Sequence, residues 1–152
     1  MKVFNLNNEN KNEVNELVGG MQALIRYHSN NCGHCVAMTN DWKALEDTLK
    51  NRNNDNVVVV SIEGNNIEHF DHFKDVQGYP TIMQLIHGKK HKEYTGDRSF
   101  NDILKFVNDN FNQFSIQKGG KKKFAKKGKK KLTKRHKKKS RKSRKQRRKS
   151  RK

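Results

Sequence analysis

From Ser115 to Lys152 the chain carries 23 Lys and Arg residues and not one acid. This run limits what the rest can fold into. Its apolar residues are Ile116, Phe124, Ala125 and Leu132, too few to bury the surface that would offset the entropy of ordering a backbone. Residues 115–152 are therefore expected to be disordered when free, and folding is confined to residues 1–114. That length supports one domain with a core and is too short for two. The full chain has 35 basic and 15 acidic residues, so the body keeps 12 basic residues against all 15 acids, a net charge of −3. A mildly acidic domain is joined to a polycation.

Within the body, hydrophobic spacing predicts a short strand at Val3–Leu6 and a helix capped by Asn7 or Asn8. Val14, Leu17 and Val18 share one face of that helix, and Gly19-Gly20 is expected to end it. Met21–His28 reads as a central strand. A helix then runs from Gly33 to about Leu49, with Met38, Trp42, Leu45 and Leu49 on its buried face. Val57–Ile62 is a nearly continuous β-branched run, the pattern of a strand buried on both sides. Ile67–Phe73 reads as a short helix, Thr81–Ile86 and His91–Tyr94 as a hairpin, and Ser99 as the cap of a last helix through Phe111. The order βαβαβαββα predicts an α/β domain with helices on both faces of a central sheet.

Both cysteines of the chain lie in Cys32-Gly33-His34-Cys35, between the Met21–His28 strand and the following helix. A Cys-x-x-Cys pair at the mouth of a βα unit can be a redox disulfide. It can also be half of a zinc site, completed by His69 and His72, or an inert staple. Pro80, the only proline, stands in Gly78-Tyr79-Pro80-Thr81.

These marks come together with Ile82, Tyr94-x-Gly96-x-Arg98 and an apolar last helix. With them the body resembles the thioredoxin superfamily, closest to the catalytic domains of protein disulfide isomerase, over residues 2–113. The resemblance implies a thioredoxin fold, a central mixed β-sheet flanked by helices. It implies that Cys32 attacks substrate disulfides as a thiolate at a helix N-terminus and that Cys35 resolves the mixed disulfide. Gly33, His34, Pro80 and Arg98 would support the pair. Pro80 would match a cis-proline facing it, and Tyr79 and Thr81 would line a substrate groove. No cofactor or metal is implied beyond a Cys32–Cys35 disulfide. By stabilising the reduced form, His34 would favour oxidation or isomerisation over reduction.

Three positions depart from the family pattern. Asn31 replaces the usual Trp before the first Cys, and Val36 the usual Lys after the second. Arg26 stands six residues before Cys32, where the family has a buried acid that accepts the proton of the resolving thiol. Arg26 would either favour thiolate forms or point to solvent. Arg98 matches an arginine that approaches the second Cys.

The expected partners are protein thiols and disulfides, with the domain acting as a monomer. The tail calls for a polyanion, and nucleic acid fits best. Lys121, Lys122, Lys123, Lys129, Lys130, Lys131, Arg135, Arg141, Arg144, Arg147 and Arg148 are its candidate phosphate contacts. With Phe124 as its one aromatic, binding would be driven by phosphate and not by base stacking. The N-terminal residues carry no secretory apolar run, which points to cytoplasm, nucleus or a virion. The bias toward Asn and Lys, together with the tail, resembles redox proteins of large DNA viruses. Two classes of function follow. One is a thiol–disulfide oxidoreductase localised by its tail. The other is a redox-inactive thioredoxin-fold scaffold that mainly binds or packages nucleic acid.

Overall fold

The computed structural model describes residues 1–111; the tail, with every candidate phosphate contact named above, lies outside the described residues. A five-stranded mixed sheet runs through the domain in the order β1-β3-β2-β4-β5. Its strands are β1 (Lys2–Asn5), β2 (Gln22–His28), β3 (Val57–Glu63), β4 (Thr81–Ile86) and β5 (Lys89–Glu93). The β1·β3 and β2·β3 pairs are parallel, and the β2·β4 and β4·β5 pairs antiparallel. The helices are α1 (Lys11–Gly20), α2 (Gly33–Ala37), α3 (Thr39–Lys50) and α4 (Phe100–Phe111), with a 3-10 turn at Gly64–His69. This is the thioredoxin fold; its strands follow the expected order, while the one helix expected from Gly33 to about Leu49 is two, broken at Met38. Among the described residues, no helix is long and apolar enough to cross a membrane.

Side chains alternate along a strand with a period of two, and β2 and β3 use both faces. Ala23, Ile25 and Tyr27 join Val58, Val60 and Ile62 in one core, closed by Val14 and Val18 of α1 and by Phe70. Leu24 joins Val57, Val59 and Ile82 in the other, closed by Trp42, Leu45 and Leu49 of α3 and by Ile103, Val107 and Phe111 of α4. Arg26 and Ser61 are register partners on β2 and β3, two positions beyond Leu24 and Val59. They therefore fall on the α3/α4 side.

Several local expectations change. Helix α1 starts at Lys11, later than expected, because Asn7 and Asn10 tie a turn together first. Asn7 Oδ1 accepts the main-chain N–H groups of Glu9 and Asn10, and Asn10 Oδ1 accepts that of Asn7. The helix runs through Gly19-Gly20 and stops at Met21. The helix expected at Ile67–Phe73 is a 3-10 turn that ends at His69. Phe70 then turns extended and drops fully into the core. Burial of that ring outweighs the local helical pattern, and Tyr27 Oη donates to Phe73 O to hold the segment extended. The hairpin turn is His87-Gly88, both at positive φ (50° and 74°), so β5 begins at Lys89 and not at His91. Such a pair matches the twist of the flanking strands. Ser99 caps α4 as expected, its Oγ accepting the Asp102 N–H at 3.4 Å.

Every residue of β5 is exposed, and the strand reads Lys-Lys-His-Lys-Glu. Lys90 Nζ lies 5.1 Å from the Phe73 ring centre and Lys92 Nζ 5.8 Å from that of Phe106. Those rings pack against opposite cores, so the strand is tied to both faces by its lysine stems.

Candidate active site

The two cysteines sit where β2 hands the chain to α2. Ser29, Asn30 and Asn31 make the turn, with the Cys32 N–H donating to Ser29 O at 3.1 Å. Cys32 takes the extended N-cap position of α2 (φ −96°, ψ 117°). One turn on, Cys35 is buried, whereas Cys32 stays partly exposed. Both are free thiols in this structure. The α2 helix lasts only to Ala37. At Met38 the backbone leaves the helical region (φ −88°, ψ 1°), and the Thr39 hydroxyl takes up Cys35 O at 3.0 Å.

The segment Gly78–Thr81 closes the site from the other side. The Tyr79–Pro80 peptide is cis, and the Cys32 thiol donates to Tyr79 O at 3.5 Å. Pro80 is buried, Thr81 opens β4, and its hydroxyl donates to Gly78 O at 2.8 Å. The Tyr79 ring is 38 % exposed and Val36 is 60 % exposed. Two large apolar side chains are thus open to solvent close to the pair.

The two thiols differ in the direction their acidity moves. The Cys32 thiol is held below the ordinary thiol range, first by the hydrogen bond from the Cys35 thiol, then by the Cys35 and His34 main-chain N–H groups and by the Arg98 charge. The first turn of a helix offers such unpaired donors. The Cys35 thiol is pushed up by burial, opposed by the Ser29 N–H, which reaches its Sγ at 3.5 Å, and by the Arg26 charge. The two thiols thus differ in both exposure and acidity.

His34 is exposed, and its main-chain N–H, not its ring, bears on Cys32. Arg98, at positive φ (68°), is exposed. Its N–H donates to Tyr94 Oη at 2.8 Å, and its charge bears on Cys32, where the sequence pointed to Cys35. The charge that bears on Cys35 is Arg26. Gly33 is exposed in the first turn of α2, with no atom within 4 Å of where a Cβ would stand. The alternative zinc ligands are occupied elsewhere: His72 Nε2 is 2.8 Å from Asn15 O on α1, and His69 pairs with Glu68 at 3.8 Å. Among the described residues, no three His, Cys, Asp or Glu side chains are grouped to hold a metal.

Of two further residues on this face, Arg26 stands out in the sequence with two possible settings, and Glu46 escapes a reading of motifs. Arg26 is 8 % exposed, so it does not point to solvent. Its guanidinium lies over the Trp42 ring, 5.0 Å from the centre. Glu46, one turn beyond Trp42 on α3, accepts from the Trp42 indole at 2.7 Å and from the Ser61 hydroxyl at 3.0 Å. Strand alternation signals Arg26, since it shares a face with Leu24, and the four-residue step from Trp42 signals Glu46.

Residues 2–109 match the family model described as thioredoxin. The protein disulfide-isomerase of Saccharomyces cerevisiae is 31 % identical over 111 residues, covering 71 % of this chain and 20 % of that protein. The first thioredoxin domain of mouse protein disulfide-isomerase A4 superposes with a TM-score of 0.53 at 25 % identity, covering 69 % of this chain and 72 % of that one. The zinc-bound form of human ERp44 superposes with a TM-score of 0.58 at 20 % identity, covering 71 % of this chain and 31 % of that one. The chain spans only 20–25 % of the length of the first curated relatives it matches.

Proposed function

Because this chain belongs to the thioredoxin family, we propose that it is a thiol–disulfide oxidoreductase of the disulfide-isomerase or oxidase kind, carried on a polyanion by its tail. One observation supports the chemistry above the rest: a partly exposed Cys32 thiol, held acidic, faces the Tyr79 carbonyl with a buried second thiol behind it. In the exchange, the Cys32 thiolate attacks one sulfur of a substrate disulfide. A Cys32–substrate disulfide forms, and the other substrate sulfur leaves as a thiolate that takes a proton from water. Cys35 then loses its proton to solvent and attacks Cys32 Sγ. The Cys32–Cys35 disulfide closes, the second substrate sulfur leaves as a thiolate, and two electrons have passed to the substrate. Oxidation of a substrate dithiol is the same path reversed. Stabilising the Cys32 thiolate favours the reduced pair and so makes the disulfide more oxidising.

The tail supports a second contact with long anions. With 23 cations in residues 115–152 and no acid, the recognition it offers is counter-ion release at phosphates, indifferent to sequence. Nucleic acid is the polyanion proposed, and a nucleic-acid-rich compartment or particle is the proposed location.

The test is equilibration of the full chain in glutathione buffers of stepped potential, with alkylation trapping and mass spectrometry of Cys32 and Cys35. A reversible two-electron midpoint near about −180 mV supports an oxidase or isomerase, and one near about −270 mV a reductase. Two thiols that never pair would overturn the exchange reading and leave the scaffold. Loss of insulin-disulfide turnover in Cys32→Ser is the companion expectation.

A further inference from the structure

We propose that Arg26 is the positioning residue for the resolving step: its buried guanidinium places a fixed positive charge behind Cys35 and favours the thiolate that attacks the mixed disulfide. The inference rests on the exchange chemistry proposed above and concerns how its second half is driven.

The geometry carries it. Arg26 is on β2, on the α3/α4 side of the sheet, opposite Ser61 of β3 and Ile82 of β4. At 8 % exposure it has left water, yet its Nε and Nη1 are buried without a hydrogen-bond partner among the described residues. Leaving buried donors unpaired opposes folding unless the charge they carry serves another purpose. A cation so placed acts through its charge. Arg26, Thr39, Trp42 and Glu46 line one cavity of about 280 Å³, and Thr39 holds Cys35 O at 3.0 Å. The cavity therefore lies behind the turn that carries Cys35.

Charges around this centre are mixed. Glu46 draws on the Arg26 cation, as does a Cys35 thiolate. Lys43, Asp47 and Lys50 of α3 also line the cavity, with Lys50 and Asp47 paired at 3.4 Å. His28, at the end of β2, is held at about 4 by burial and by Arg26, opposed by Glu63 of β3, so it is neutral at neutral pH. In the reduced pair a Cys32 thiolate also opposes charge on Cys35, but in the mixed disulfide that charge is gone. The fixed cation bearing on Cys35 is thus Arg26, and the carboxylate bearing on Arg26 is Glu46. Burial lowers the Arg26 pKa, but a guanidinium stays protonated in proteins, so the charge is constant across the working pH range.

In the resolving step the Cys35 S–H bond breaks and its proton goes to solvent. The Cys35 sulfur pair forms the bond to Cys32 Sγ as the Cys32–substrate S–S bond breaks, and the substrate thiolate leaves. Arg26 takes no proton. It offsets the negative charge that Cys35 carries before attack, and Glu46 sets how much of that offset reaches the sulfur.

The test uses the reduced full chain and an aryl disulfide, dithiobis(nitrobenzoate). The first aryl thiolate reports attack by Cys32 and the second reports attack by Cys35. The rate of the second phase is followed from acid to alkaline pH. For Arg26→Met the midpoint of that profile is expected to rise, and the second phase to slow by about tenfold near neutral pH. Arg26→Lys is expected to restore most of it. Glu46→Gln, which keeps the hydrogen-bonding shape but removes the counter-charge, is expected to move the midpoint down. A purely structural Arg26 would leave both midpoints where they are, and that result overturns the inference. If Arg26→Met does not fold, Glu46→Gln alone decides it. A wild-type chain that never releases the second thiolate would instead overturn the exchange reading itself.

Discussion

The Cys32 sulfur and the Tyr79 carbonyl oxygen stand 3.5 Å apart although 47 residues separate them in the chain. The exposed thiol and the Gly78–Thr81 loop thus come from different elements and meet only through the tertiary fold. Arg98 is the outlying charge at this junction. Replacing it with Ala is expected to move the pH midpoint of Cys32 alkylation upward and to slow alkylation at neutral pH by roughly two- to fivefold, the modest effect of an exposed charge. Iodoacetamide kinetics read by mass spectrometry check this, with Cys35 as the slow internal reference.

Trp42 joins helix to sheet. Its indole N–H is shared between Glu46 at 2.7 Å and Ser61 Oγ at 2.8 Å, and the ring is almost wholly buried under Arg26. Trp42→Phe keeps an aromatic ring but removes the donor and part of the volume. A loss of about 2–3 kcal/mol is expected in a urea titration.

His28 gives the domain an acid-sensitive element. Its imidazole is held at about 4 against an ordinary 6.5, chiefly by burial. Between those values the unfolded chain takes up a proton that the folded chain refuses, so stability falls as pH drops through that window and levels off below it. His28→Gln is expected to flatten this slope by on the order of 1 kcal/mol, allowing for the ring's partial contact with solvent. Urea midpoints at neutral pH and at the acid end of the window measure it.

Gly88 is required twice over. Its φ is +74°, and a Cβ there would stand 2.3 Å from His72 Nδ1. The His72 ring cannot swing aside freely, since Nε2 is bonded to Asn15 O and the ring packs edge-on to Phe70 at 5.3 Å. Gly88→Ala should cost on the order of 2–3 kcal/mol, falling to about 1 kcal/mol, the backbone part, in a His72→Ala background. A double-mutant cycle separates the two.

Removing residues 115–152 should leave turnover of a small disulfide largely unchanged and abolish tight binding to duplex DNA and RNA. In the full chain that affinity should drop by about a thousandfold or more between about 50 and 200 mM salt. Fluorescence anisotropy at stepped salt decides it, and binding that survives the deletion refutes the tail's role.

The order of elements was legible because β-branched runs, helical spacing and turn residues agree along most of the body. The cysteines and the Gly78–Ile82 segment were legible because short motifs carry them. Arg26 was harder to read. A lone cation in a strand suits a solvated edge equally well, and only the alternation from Leu24 through Arg26, combined with a helix packed on that face, puts it inside. Phe70 misled in the other direction. Its neighbours Ile67 and Phe73 are spaced like a helix, but the buried ring and the Tyr27–Phe73 hydrogen bond pull the segment straight. Long-range packing decided that stretch, and local spacing has no record of it.

The lysine stems that fasten β5 have a consequence for the edge of the sheet. An edge strand ordinarily offers its unpaired backbone to any extended chain it meets, and greasy side chains make that meeting stick. At the β5 edge that strand has no apolar residue at all. A second strand arriving there would meet three lysines, one of them paired with Glu93, and no apolar side chain to hold it. While it stays in place, β5 keeps the apolar strand β4 from becoming an open edge that another chain could extend.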